Sequence, residues 1–255
     1  MAFSTTTAAL LVAIGFGVGA FGTLVGAGGG FALTPILLLL YPHDSPRAVT
    51  AISLATVFFN ASSGSIAYAR QRRIDYRSGT MFALATLPGA VGGALLTGSV
   101  SRHVFDGIMG GVLFLLAAWL IAGERWPLPR PRRTLRVGAL YSLVVGFVSS
   151  FLGIGGGVIH VPLLVRALGF PVHFATATSH FVLAIMAGAG TVTHVAIGSF
   201  AHGHGWRRTA ALSVGVVAGA QLGAHVSLRL RGAAIQWLLA VALLALAARL
   251  LYSAA

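Results

Sequence analysis

The chain has no cysteine, no lysine and only four acidic residues in 255. Zero cysteines exclude disulfides, thiol catalysis and cysteine-ligated zinc. Charged residues make up 8% of the chain, against about 25% in a soluble domain. A water-facing surface cannot be tiled from so few charges, so the solvent around most of this chain is lipid. Hydrophobic residues reach 57% and mean hydropathy is +0.90. All 17 basic residues are arginine, and the formal charge is +13. In a soluble protein that excess would point to nucleic acid. Here the arginines fall in short loops between apolar runs, where membrane orientation accounts for them, and no nucleic-acid partner is expected. The first ten residues carry no basic side chain, unlike a cleaved signal peptide. The 34 glycines lie inside apolar runs, as membrane helices tolerate, and do not signal disorder. The expected class is an all-α polytopic membrane protein.

A bilayer core of about 30 Å needs about 20 apolar helical residues. Long apolar stretches fall near 7–26, 48–69, 78–97, 107–123, 137–152, 174–197, 209–228 and 234–252. Two shorter pieces, 31–42 and 158–169, follow glycine clusters and are too short to span unaided. The pattern is one unit written twice. Gly26-Ala27-Gly28-Gly29-Gly30 with Pro35 returns as Gly153-Ile154-Gly155-Gly156-Gly157 with Pro162, at an offset of 127. Thr50 to Ser53 matches Thr176 to Ser179 at 126, and Gly89 and Gly93 match Gly219 and Gly223 at 130. The expected organisation is a first repeat over 1–123, a basic cytoplasmic linker over 124–136 and a second repeat over 137–255. Each repeat then holds four spans and one short broken helix.

Arg70, Arg72, Arg73 and Arg77 in one loop and Arg125, Arg130, Arg132, Arg133 and Arg136 in the linker lie two spans apart, hence on one side. Their charge makes that side cytoplasmic. If each short helix returns across the membrane, the repeats are inverted; if it completes the preceding span, they are parallel. Both arrangements place twelve arginines inside and five outside, so charge does not choose between them. Broken helices opening at glycine favour inversion, by analogy with other secondary transporters.

The glycine clusters carry the chemistry. Amides opening a short helix lack intrahelical partners and sit at the positive end of its dipole. Non-helical backbone survives in lipid only where protein buries it or where it lines a cavity. Gly28, Gly29 and Gly30 and their counterparts Gly155, Gly156 and Gly157 are therefore candidate anion-binding positions. Pro35 and Pro162 have a structural part, removing a donor and favouring a kink. Thr50 and Ser53, repeated as Thr176 and Ser179, can donate to an oxyanion without adding charge, or can bond their own helix carbonyls. Asn60 and Gln221 read as bridges between helices. His160, just past the second cluster, can titrate near neutral pH and is the histidine to test for coupling.

Asp44, Asp75, Asp106 and Glu124 all map to loops or segment ends. A cation pump built on buried carboxylates is thereby disfavoured, and an anion carrier is not. Ser179 and His180 are adjacent and cannot face each other on a helix. No G-x-S-x-G or H-E-x-x-H pattern appears, so an intramembrane enzyme is not expected. No metal or other cofactor is expected. The expected partners are a small anion and the bilayer, with a homodimer left open. A passive anion channel is the alternative to a carrier.

The pair GAGGGFALTP (Gly26 to Pro35) and GIGGGVIHVP (Gly153 to Pro162), with AVTAIS (Ala48 to Ser53) and ATATS (Ala175 to Ser179), resembles the sulfite exporter TauE/SafE family. The resemblance runs over nearly the whole chain. It implies export of a small sulfur-containing anion, such as sulfite or sulfoacetate, across the bacterial cytoplasmic membrane. It extends to the glycines, prolines and Thr/Ser elements but not to His160.

Overall fold

The structure is a computed structural model that describes residues 4–125, 135–201 and 204–253. It contains ten α-helices among these residues and no strand. The first five are α1 (Thr5–Leu24), α2 (Gly30–Leu40), α3 (Pro46–Arg70), α4 (Tyr76–Leu96) and α5 (Arg102–Arg125). They are followed by α6 (Leu135–Leu152), α7 (Gly157–Pro162), α8 (Val172–Ala196), α9 (Gly205–Val226) and α10 (Gly232–Ser253). Most of the linker expected over 124–136 lies outside the described residues.

Local chemistry sets the helix starts. Ser4, Ser45 and Asp75 each accept a hydrogen bond from an amide in the first turn of α1, α3 and α4, and Pro46 opens α3. Among the described residues, seven helices are long and apolar enough to cross a membrane. The expectation of eight spans differs at α6, where the apolar piece Val137–Leu152 falls below that length. The second short element also departs from the expected single helix over 158–169. Helix α7 ends at Pro162 and continues as a π-helical turn over Leu163–Ala167. A proline that cannot donate to the preceding turn favours such a rearrangement. Pro35 instead stays within α2.

Glycine ladders bind the two repeats together. Gly215, Gly219 and Gly223 of α9 lie against the carbonyls of Val12, Phe16 and Ala20 in α1, so close that any side chain would collide. Gly89 and Gly93 of α4 meet the carbonyls of Leu143 and Phe147 in α6 in the same way. In lipid, where burial of apolar surface drives nothing, this close backbone approach supplies the van der Waals contact. Rising residue numbers match in both ladders, so α1 runs parallel to α9 and α4 parallel to α6. Helices α3 and α8 run antiparallel, because Gly64 faces His180 while Gly190 faces Leu54. Helices α5 and α10 pack antiparallel against each other, Gly110 meeting Leu251 towards one end and Leu120 lying near Ala240 towards the other.

These directions place the short helices. Arg208, near the start of α9, pairs with Asp44 and lies 3.6 Å over the Tyr41 ring at the end of α2. Because α1 and α9 are parallel, α1 starts at this Asp44 end. Helix α2 therefore turns back to the end from which α1 came. The opposite, Asp75 end holds the close of α3 and the starts of α4 and α8. Three acids have described side chains, and all are engaged. Asp44 pairs with Arg208, Asp106 receives Arg102 Nε at 2.9 Å, and Asp75 accepts from Ser78 Oγ at 2.9 Å.

Candidate functional site

The two glycine clusters meet at the centre of the bundle. A Cβ on Gly30 would lie 2.6 Å from the Ile154 carbonyl, and one on Gly157 would lie 2.6 Å from Ala27 Cα. Leu183 and Val57, equivalent residues on α8 and α3, close over Gly28 and Gly155. The breaks are thus packed shut against each other and against apolar side chains. Gly28 and Gly29 have φ of 75° and 79°, and Gly155 has 72°, a left-handed backbone that glycine adopts without strain. Gly156 differs from its counterpart Gly29: its φ of −64° is ordinary helical backbone.

Each serine of the repeated element bonds the break of the other half. Ser53 Oγ donates to the Gly153 carbonyl at 2.7 Å, with Thr34 Oγ1 2.8 Å from the same oxygen. Ser179 Oγ makes the equivalent bond to the Gly26 carbonyl at 3.4 Å. These hydroxyls hold the breaks in place instead of standing free for a ligand. Thr176 Oγ1 donates to its own helix at Val172, whereas Thr50 Oγ1 is buried without a partner. Asn60 and Gln221 bridge elements as expected. Asn60 Nδ2 donates to the Gly28 carbonyl at 2.8 Å, and Gln221 Nε2 to the Ser63 carbonyl at 2.9 Å.

The first break is further knitted by a chain of polar groups. Thr23 Oγ1 donates to Asn60 Oδ1 and stands 3.2 Å from His180 Nε2. Tyr68 donates from its hydroxyl to the Thr23 carbonyl at 2.7 Å. The amides of Ala27 and Gly28 both turn back to the Gly22 carbonyl. In the second break Ile154 N–H bonds the Ser149 carbonyl, and among the described residues the Gly155 amide makes no bond equivalent to that of Gly28. Met186 stands where Asn60 stands in the first half.

Around the second break, Thr50, Ser149, Ser150 and His194 Nε2 are buried side-chain polar groups without partners. Ser150 Oγ and Leu54 both lie about 3.0 Å from a Cβ position on Gly190. Thr50 is one helical turn from Leu54, and His194 one turn from Gly190, both toward the Asp44 end. Unpaired hydroxyls thus gather around the second break, whereas the orphaned side-chain atom at the first is His180 Nδ1. His160, singled out for coupling, is tied through Nε2, 3.0 Å from Ser142 Oγ, and stacks on Phe82, while its unpaired Nδ1 borders the break, 3.3 Å from a Cβ position on Gly156. Ser142 spends its proton on the Gly138 carbonyl, so it accepts from His160.

Cavities open at the two ends of the α3–α8 pair. The one at the Asp75 end, about 750 Å³, is walled by Phe170, Pro171, Phe174 and Arg77. The one at the Asp44 end, about 420 Å³, is lined by His43, Asp44, Ser45, Arg47 and Ser199. The sequence reading missed this second wall. Its signal was present, because Arg47, Thr50 and Ser53 recur every third residue along one face of α3.

No solved structure matches the chain. It is 26% identical to the probable membrane transporter protein YunE of Bacillus subtilis, over 95% of this chain and 97% of that one. It is 27% identical to a probable membrane transporter protein of Methanocaldococcus jannaschii, over 73% of this chain and 72% of the other. A probable membrane transporter protein of Xylella fastidiosa is 31% identical over 65% of this chain and 66% of its own length. The sulfite exporter TauE/SafE family model matches residues 11–250, and the chain belongs to that family of membrane transporters.

Proposed function

We propose that this protein exports a small sulfur-containing anion, sulfite or an organosulfonate such as sulfoacetate, across the bacterial cytoplasmic membrane. The anion passes between the two glycine breaks near the bilayer midplane, held by freed amides of Gly155, Gly156 and Gly157 and neighbouring hydroxyls. The observation that carries this reading is the meeting of two duplicated breaks inside a core without a carboxylate. Backbone amides and hydroxyls there suit an anion and offer a metal cation little. Membership of the sulfite exporter family supplies the sulfur chemistry.

The two repeats are inverted in this reading. Antiparallel α3 and α8, and the return of α2 to the end where α1 starts, support it. The arginine-rich Asp75 end and the linker then face the cytoplasm. With the breaks packed shut and cavities at both ends, the shape is that of an occluded carrier, and transport requires the breaks to part alternately toward each side.

Flux of labelled sulfite, sulfate and sulfoacetate into liposomes tests the substrate. Saturable sulfite or sulfoacetate flux with counterflow is expected; absence of flux for every sulfur anion overturns it, and flux without counterflow makes the protein a channel. Orientation is tested with single cysteines at Ser4 and Ser253, which a cysteine-free chain allows without background. Both should label from outside, and labelling only from the cytoplasm removes the inverted arrangement.

A further inference from the structure

We propose that the cavity at the Asp44 end is a docking site for a small oxyanion, with the Arg47 guanidinium as its anchor and the second break as its inner limit. The proposal deepens the transport reading and rests on it for the direction of passage, but not for the presence of the site.

Arg47 is the cavity's uncompensated charge. The carboxylate in the same wall, Asp44, is already neutralised by Arg208. Arg47 has no acidic partner among the described residues, and its Nε is buried without any hydrogen-bond partner. A buried guanidinium N–H left unpaired is costly, and a planar oxyanion edge satisfies it with paired charge-assisted bonds. The guanidinium occupies space left by Gly98, where any side chain would collide with it.

The cavity also has polar groups along its inward route. Ser199, in its wall, is 3.0 Å from His194 Nδ1, and His194 is fully buried with its other nitrogen unpaired. Thr50 lies one turn inward from Arg47, fully buried, its hydroxyl also unpaired. It packs on Gly153, whose Cβ position is 3.0 Å from Thr50 Cγ2. Two orphaned polar groups, the Thr50 hydroxyl and His194 Nε2, thus stand between an unpaired cation and the break. The equivalent route at the other end lacks this character. At the repeat offset, Asp44, Ser45 and Ala48 become Phe170, Pro171 and Phe174, and Thr176 spends its hydroxyl on Val172. Asp75, Arg77 and Ser78 line the rim of the cavity there, but the Asp44 end is the mouth whose unpaired polar groups continue inward to a break.

The test uses the full chain in detergent, with sulfite, sulfate, phosphate and sulfoacetate compared with chloride at equal ionic strength. At least one oxyanion should raise the unfolding temperature of the native protein above the chloride reference, because a ligand of the folded state stabilises it. Arg47→Gln should weaken that binding about tenfold or more, and Arg47→Lys should lose less. A second measurement covers a variant that fails to fold. In native protein, the effective anion should slow phenylglyoxal modification of Arg47 but not of Arg77, read by peptide mass. No oxyanion response, an unchanged response in Arg47→Gln, or unprotected Arg47 overturns the site. A response to phosphate alone supports the site while removing the sulfur-anion reading; sulfur-anion flux unaffected by Arg47→Gln does the reverse.

Discussion

The two glycine breaks share a sequence pattern and a place in the repeat, yet they are held by different means. Side chains tie the first down: Asn60 takes the Gly28 carbonyl, Thr23 takes Asn60, and Tyr68 takes the Thr23 backbone. The second is fixed firmly at one carbonyl, that of Gly153, by Ser53 and Thr34. Elsewhere it is bordered by unpaired hydroxyls, and Met186 replaces the asparagine. Duplication thus preserved the backbone break and let its surroundings diverge. One copy is knitted by a side-chain network that leaves His180 Nδ1 unpaired, and the other kept spare hydroxyls at Thr50, Ser149 and Ser150. Spare capacity is what a ligand uses, so the second break is the better candidate for contact with substrate.

That contrast can be broken most severely at the glycines themselves. Gly29→Ala should destabilise the protein by about 1–3 kcal/mol, since a side chain at φ of 79° is strained and this one also meets Val18. Gly156→Ala needs only a small adjustment of Met186 and His160, so it should stay folded while lowering anion flux. Unfolding temperatures in detergent alongside liposome flux measure both. Equal destabilisation of the two variants would erase the difference between the breaks. The next largest effect concerns Asn60. Asn60→Leu orphans the buried Gly28 carbonyl and should cost about 1–3 kcal/mol, whereas Met186→Leu should cost under about 1.5 kcal/mol.

Smaller effects sharpen the comparison. Ser53→Ala should cost about 1 kcal/mol, and Ser179→Ala less, because the latter's bond to Gly26 is long at 3.4 Å. The opposite ranking in denaturant titrations would mean that the first break leans on Ser179 after all. The smallest effect expected on transport is from His160→Gln. Its Nε2 is tied to Ser142, its ring stacks on Phe82, and a neutral amide can replace Nδ1 beside Gly156, so flux across pH should run parallel to native protein. A variant curve that diverges from native only on the acid side would return His160 to the mechanism.

The helical membrane class, the duplication and the two breaks were all legible because each rests on composition or on repeated local pattern. Asn60 and Gln221 were legible as bridges, since an amide in lipid needs a partner wherever it is. The direction of α2 was not: charge counting was degenerate, and that direction follows only from the α1–α9 ladder, between residues some 200 apart in the chain. The roles of Ser53 and Ser179 were also hidden. Sequence places both near a break but does not reveal that each reaches the break of the other half. The backbone of Gly156 was hidden as well: the pattern GxGGG looks identical in both copies, while its fourth position is left-handed at Gly29 and helical at Gly156.

The α1–α9 ladder has a consequence for how the chain is made. Helix α1 leaves the ribosome about 200 residues ahead of its close-packed partner α9. At roughly 5–20 residues per second, about 10–40 s separate the emergence of the two. During that interval the carbonyl-lined face of α1 contacts lipid or a chaperone of insertion, because nothing else present fits it. Helix α4 waits less long for α6. Neither repeat can complete its packing alone, so a truncated product is a poor membrane protein and not half of a good one. The same interlacing means that two separately expressed halves have large mutual surfaces by which to find each other.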